Sequence, residues 1–223
     1  MAFDYGTVPH PIREDIVAAQ RAAWQRIAGP GAAWTGEQRL AIARCVRHER
    51  ARRHEPPWLR REGGAVEPAL PPTAVDAAAV IAVDAHRIDR EWALEKVEAL
   101  GDVGYVELTG VAVSVTAIDA FAEALGAPLE PLPDASPGVP DESRPDSMGN
   151  AGAHVPMTVP YAGPNVGRAL SMAPGEQAMF MGLVGAMYSL RDFVEMVWTD
   201  RPLSRPQVEL VAARVSAINE CFY

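Results

Sequence analysis

The sequence predicts an all-α protein, and three observations support that prediction. Apolar residues recur at three- and four-residue spacing through most of the chain. Several of these stretches begin at a residue that caps helices well and end at Gly or Pro. Of the 223 residues, 48% are hydrophobic, which supplies enough apolar material for a buried core. We therefore expect a folded helical protein rather than a disordered chain.

Two amphipathic helices are predicted at the start of the chain. Residues 12–29 carry an apolar stripe and end in Gly-Pro. Thr35 then has the position of an N-cap, and Gln38 three residues later completes the pattern of a capping box. The helix that follows, over 36–53, is stopped by the Pro-Pro pair at 56–57.

Three further helices are predicted over 75–86, 88–100 and 103–125. The third is rich in β-branched residues and could also form a strand. However, its apolar residues recur mostly at spacings of three and four, and Ala-Glu-Ala-Leu-Gly at its end resembles a helix C-terminus. This pattern favours a buried helix.

The composition changes at residue 128. Nine of the twenty prolines lie within 128–164, among Asp, Ser, Gly and Asn, which indicates a linker or a long surface excursion. Helical patterning resumes over 174–198, and again over 203–223 with Ser204 as N-cap and Pro206 in the first turn. We expect a helical domain over 1–127, a Pro-rich linker over 128–164 and a partial second unit over 165–223.

Charge and composition exclude several classes of function. The chain has 20 basic and 29 acidic residues, a net charge of −9, which disfavours a general binder of nucleic acids. A cluster of basic residues could still bind nucleic acid, but we favour a solvated helix face that pairs with neighbouring carboxylates. The cluster consists of Arg44, Arg47, Arg50, Arg52, Arg53, Arg60, Arg61, His48 and His54.

No apolar run approaches the ~18 to 20 residues that a spanning helix needs, and the first thirty residues lack a signal-peptide pattern. We expect a cytoplasmic protein without a membrane partner. Two cysteines, Cys45 and Cys221, cannot form a disulfide framework. The five histidines are scattered and form no Cys/His cluster, so we expect no structural metal site.

The two halves of the chain share a weak internal repeat. Each half has a long amphipathic helix that is followed by a short turn and a capped helix. When Trp34 is aligned with Leu203, three further pairs coincide: Gln38 with Gln207, Ala43 with Ala212, and Val46 with Val215.

The segment LSRPQVELVAARVSAINECFY, over 203–223, resembles the motif region of the carboxymuconolactone decarboxylase and alkylhydroperoxidase AhpD superfamily. The peroxidase branch of that family has a glutamate, eleven intervening residues, a Cys-x-x-Cys pair and a histidine one turn later. Glu209 and Cys221 have the glutamate-to-cysteine spacing. The resemblance implies that these two residues carry thiol chemistry, with no cofactor and with a thiol reductant as partner. It also implies an AhpD-like helical bundle that assembles as a homo-oligomer.

The chain departs from the family pattern in two ways. The sequence given ends at Tyr223, before the second cysteine and the histidine would stand, so we expect an impaired site in a truncated second repeat. In the first repeat, the alignment places Leu40 at the glutamate position and Arg52 at the cysteine position, which predicts a degenerate copy.

Two classes of function remain open at this stage. The first is a peroxidase-related, thiol-dependent antioxidant protein that uses Cys221 and Glu209. The second is a non-catalytic assembly or regulatory module on the same fold. A lactone decarboxylase of the same superfamily is a third, weaker option, because no residue pattern specifically supports it.

Overall fold

The computed structural model describes residues 3–6, 8–55, 65–163, 165–189 and 202–218. These residues form seven α-helices and one sheet of two short strands, which confirms the predicted all-α class. The helices are α1 (Glu14–Ala28), α2 (Gly36–Arg52), α3 (Pro72–Val83), α4 (Arg90–Leu100), α5 (Asp102–Ala124), α6 (Pro174–Val184) and α7 (Arg205–Ile218).

Side chains at the helix starts explain where these helices begin. Both halves of the predicted capping box form in α2: the Thr35 hydroxyl accepts the N–H of Gln38, and the Gln38 side chain accepts the N–H of Thr35. Asp89 caps α4 by accepting the N–H of Trp92 at 2.8 Å. Gly101 joins α4 to α5 with a φ of 74°, a conformation that other residues adopt at a cost.

Helix α5 lies at the centre of the bundle and packs against α2, α3, α4 and α6. Its apolar residues at three- and four-residue spacing, such as Leu108, Val111, Val115 and Ile118, are all buried. The prediction of a helix over 103–125 is therefore confirmed. The helix accommodates its β-branched residues because packing on several sides outweighs their modest helix propensity.

Among the described residues, α5 is also the one helix that is long and apolar enough to cross a membrane. About two thirds of the qualifying window (67%) is buried inside the bundle, and core helices of soluble proteins pass the same test. The expected cytoplasmic location stays a prediction.

The Pro-rich stretch runs in an extended path over the helices. Ser136 donates its N–H to the carbonyl of Ala28, and Asp141 donates its N–H to that of Gly31. Further along, β1 (Met148–Gly149) pairs antiparallel with β2 (Met157–Thr158). The division into two units and a linker stays a prediction, and Met179 and Leu183 of α6 lie in the same core cluster as residues of α1, α2, α3 and α5.

The predicted helix over 174–198 is shorter than expected in its described part. Helix α6 ends at Val184, and the chain continues as a five-residue π-helix, Gly185–Ser189. Glycines at 182 and 185 have low helix propensity, which weakens the α-helical hydrogen-bond pattern here. Residues 190–200 lie outside the described residues.

Candidate functional site

Glu209 lies in the first half of α7, and its carboxylate has two described partners. The hydroxyl of Tyr188 donates to Oε1 at 3.1 Å, and the Nε of Arg205 lies 3.3 Å from the same oxygen. The Glu209 side chain is 41% exposed. Ser204 precedes α7 as predicted, and its N–H is accepted by Gln207 at 2.8 Å.

Cys221, the second predicted site residue, lies outside the described residues. Helix α7 ends at Ile218, and Glu209 is its fifth residue. The distance between the carboxylate and the Cys221 thiol is therefore not part of the described geometry, and the pairing of the two residues stays a prediction.

Cys45, the other cysteine of the sequence, is fully buried in α2. Burial raises the pKa of its thiol to about 12, and the nearby carboxylates of Glu67 and Glu49 act in the same direction. The cysteine borders an open, mostly apolar pocket of about 450 Å³ whose wall also includes those two glutamates and Asp76. A thiol in these surroundings is a poor nucleophile because the thiolate form is disfavoured.

The first repeat has no carboxylate and thiol at the aligned positions. Leu40 is 3% exposed and belongs to the hydrophobic core. Arg52 forms an ion pair with Glu55 at 3.0 Å. Both positions of α2 are used for packing or surface pairing, and the degenerate first copy stays a prediction.

The described arginines of the cluster pair with carboxylates, some nearby in sequence and most from other parts of the chain. Arg47 makes a two-bond contact with Asp119 of α5 at 2.7 and 2.8 Å. Arg50 and Arg53 both pair with Glu123, and Arg44 pairs with Glu67 and Glu37. The expected pairing with carboxylates is present, but it mostly joins α2 to α5 and to the loop before α3. Arg60 and Arg61 lie outside the described residues.

A buried charge cluster between α2, α5 and α6 was not anticipated from the sequence. Arg39 is fully buried and pairs with Glu107 and with Glu176. Its Nη1 and Nη2 lie 2.8 and 3.1 Å from the two oxygens of Glu176, while Glu107 also accepts the N–H of Ala33 at 2.7 Å. Burial raises the pKa of Glu107, and the charge of Arg39 opposes that shift.

Two glycines leave the space that this cluster occupies. A Cβ at Gly31 would overlap Oε1 of Glu107 at 1.8 Å, and one at Gly110 would lie 2.6 Å from the Cβ of Glu176. The sequence contained a signal for the cluster, because Arg39 and Glu107 are charged residues inside apolar helical stretches. The arrangement is shielded from solvent and joins three helices, so we interpret it as structural.

Among the described residues, no group of three or more His, Cys, Asp and Glu side chains is placed to hold a metal ion. The predictions that no metal and no cofactor are bound are not tested by this finding. No family model, curated protein or solved structure matches this chain. The resemblance to the AhpD superfamily therefore rests on the motif residues alone.

Proposed function

We propose that this protein is a peroxidase-related, thiol-dependent antioxidant protein of the AhpD-like kind, with Cys221 as the reactive thiol and Glu209 as its proton acceptor. The observation that carries the proposal is the contrast between the two site candidates. Glu209 presents a half-exposed carboxylate twelve residues before Cys221, whereas Cys45 is buried with its pKa raised to about 12. Any thiol chemistry of this polypeptide therefore falls to Cys221.

The proposed reaction needs one thiol, one carboxylate and one hydroperoxide. Glu209 accepts the proton of the Cys221 thiol, and the thiolate attacks the terminal peroxide oxygen. The S–O bond forms, the O–O bond breaks, and the departing alkoxide takes the proton from Glu209. Sulfur is oxidised to sulfenic acid while the hydroperoxide is reduced to an alcohol.

Return to the thiol requires an external reductant, because this polypeptide contains no Cys-x-x-Cys pair. A small thiol displaces the hydroxyl of the sulfenic acid as water and forms a mixed disulfide. A second thiol then releases Cys221 and leaves as the oxidised disulfide. We expect slow or no turnover without such a thiol, with about one equivalent of peroxide consumed per chain.

Peroxide consumption by matched cysteine variants tests the proposal. The wild-type chain and Cys45→Ser should each consume about one equivalent of cumene hydroperoxide, whereas Cys221→Ser should consume none. Addition of excess dithiothreitol should convert the single event into slow turnover. Consumption that persists in Cys221→Ser would show that the chemistry does not reside at Cys221.

A second candidate function, a non-catalytic assembly module, has support from another observation. Helix α7 has no buried residue, and Leu210, Val211, Val215 and Ile218 are at least half exposed. Apolar side chains on one short helix favour association, in line with the expected homo-oligomer. Light scattering compares the wild type with Val211→Gln/Val215→Gln, and the double variant should lose its assembly if the protein is an assembly module. If the protein is instead a peroxidase whose site acts alone, peroxide consumption per chain should be the same in both proteins.

A further inference from the structure

A groove of about 370 Å³ lies between α1 and α6. The two helices run antiparallel: Gly175 at the start of α6 lies against Arg26 near the end of α1. At the other end, the sulfur of Met187, which follows α6, lies 4.0 Å from the amide nitrogen of Gln20. Alanines, glycines and Met179 line the groove, and Arg26 is the one lining residue with a polar side chain. Apolar walls with few polar groups are typical of sites for small ligands.

Two glycines of α6 mark the ends of the groove. A Cβ at Gly182 would meet no neighbouring atom within 4 Å, so the space beside this residue is open. A Cβ at Gly175 would instead overlap the guanidinium of Arg26. The two glycines are seven positions apart, which corresponds to about 10 Å along the helix axis. The groove therefore has an apolar end at Gly182 and a cationic end at Arg26.

Arg26 has hydrogen-bond donors that the described residues do not satisfy. Its Nη2 donates to Oε1 of Glu176 at 3.4 Å, which is long for a charged pair. The same oxygen already lies 2.8 Å from Nη1 of Arg39. The Nε of Arg26 is buried and has no hydrogen-bond partner in the described part of the chain. An unpaired buried donor is unfavourable, and an acceptor bound beside the guanidinium would offset that cost.

The start of α6 adds positive potential at the same end of the groove. No side chain caps this helix of 11 residues, and its N-terminus carries a partial positive charge from the aligned peptide dipoles. The carboxylate of Glu176 is directed to Arg39, which contacts both of its oxygens. Asp141 also senses the charge of Arg26, but its side chain is exposed. A guanidinium beside a helix N-terminus is a favourable place for one anionic group.

We propose that this groove binds a linear monocarboxylate of medium chain length, with octanoate as the model ligand. The ligand carboxylate accepts hydrogen bonds from Arg26 beside the start of α6. Its alkyl chain lies between the two helices and extends towards Gly182. An extended chain of about eight carbons has a length of about 10 Å, which matches the groove. This inference does not depend on the thiol chemistry of Cys221, so each of the two can fail without the other.

Isothermal titration calorimetry with the intact chain tests the class of ligand. Octanoate should bind with a Kd between about 10 µM and 1 mM, as expected for about ten non-hydrogen atoms. From butanoate to octanoate, the affinity should rise by about two- to fourfold per added carbon. Dodecanoate should bind less than about twofold more tightly than decanoate, because its chain passes the end of the groove. A gain that continues unchanged to dodecanoate would contradict a groove of this length.

Octan-1-ol tests whether the anionic group is recognised. It has the same chain as octanoate but no charge, so it should bind at least about tenfold more weakly. Equal affinity for the alcohol and the acid, or no binding of octanoate at all, would overturn the proposal.

Two variants test the two ends of the groove separately. Arg26→Gln should weaken octanoate binding by at least about tenfold and leave octan-1-ol binding within about twofold of the wild type. Gly182→Leu places a side chain in the open end and should weaken octanoate binding by at least about tenfold. Because a Cβ at this position meets no neighbour, the fold should be unchanged. Octanoate affinity that stays at the wild-type value in either variant would contradict the proposed site.

Matched controls carry the same kinds of substitution outside the groove. Arg87→Gln removes a charge from a side chain that is 66% exposed, and Ala18→Leu adds a leucine to an exposed position of α1. Both should bind octanoate within about twofold of the wild type. Circular dichroism should show the same helix content in all four variants. Weakened binding in the controls as well would show that octanoate does not bind at the groove.

Discussion

Helices α2 and α7 start with the same local pattern and have opposite surroundings. A hydroxyl residue and a glutamine three residues later interact at both starts, Thr35 with Gln38 and Ser204 with Gln207. Further along, Val46 of α2 is fully buried, whereas Val215 at the aligned position of α7 is 50% exposed. The local pattern determines that a helix forms, and the packing around the helix determines which of its side chains can meet a substrate.

The difference in burial between α2 and α7 also affects which of their polar side chains reach solvent. In α2, Cys45 is buried with the pKa of its thiol raised to about 12, and Arg39 is enclosed by Glu107 and Glu176. In α7, the Glu209 side chain is 41% exposed and contacts Tyr188 and Arg205. We interpret the difference as one of burial: α2 is packed into the core, whereas α7 buries none of its residues.

Removal of the buried arginine of α2 should have the largest effect on stability. Arg39→Met leaves the buried carboxylate of Glu107 without its counter-charge and leaves Glu176 with only the partly exposed Arg26 at 3.4 Å, so the free energy of unfolding should fall by about 3–5 kcal/mol. Urea unfolding followed by circular dichroism measures this. In α7, the exposed Arg214→Met should change stability by less than about 0.5 kcal/mol. Equal effects of the two substitutions would contradict the proposed contrast.

The buried charge cluster is an example of contacts that the sequence does not predict. Helices with clear periodicity and caps were predicted well, including the ambiguous stretch of α5. The partners of Arg39 could not be predicted, because Glu107 and Glu176 lie 68 and 137 residues away in sequence. Only the packing of three helices brings them together. The residues Glu209 and Cys221 were singled out by spacing, while the contact of Tyr188 depends on a π-helical turn that periodicity does not reveal.

A matched valine pair tests burial without any change of charge. Val46→Ala removes two buried methyl groups, and the free energy of unfolding should fall by about 2 kcal/mol. Val215→Ala, at the aligned position of α7, should change it by less than about 0.5 kcal/mol. Urea midpoints compare the two directly. A loss of more than about 1 kcal/mol in Val215→Ala would show that α7 is covered in solution.

The starts of α2 and α7 should show the smallest difference in stability, and Ser204, unlike Thr35, accepts backbone N–H groups through its carbonyl and not through its hydroxyl. Thr35→Ala removes the hydroxyl that accepts the N–H of Gln38, and global stability should fall by about 1 kcal/mol. Thr35→Ser keeps an acceptor and should stay near the wild type. Ser204→Ala should lower hydrogen-exchange protection within α7 and leave global unfolding unchanged, because α7 buries none of its residues. A global loss of equal size in both alanine variants would argue against separate behaviour of the two helices.

Trapping of sulfenic acid tests the assignment of reactivity most directly. The native protein is treated with one equivalent of cumene hydroperoxide in the presence of dimedone, and both cysteines are located by mass spectrometry. We predict dimedone on Cys221 and none on Cys45, whose pKa is raised to about 12 by burial. Dimedone on Cys45, or an unlabelled Cys221 while peroxide is still consumed, would contradict the proposed function.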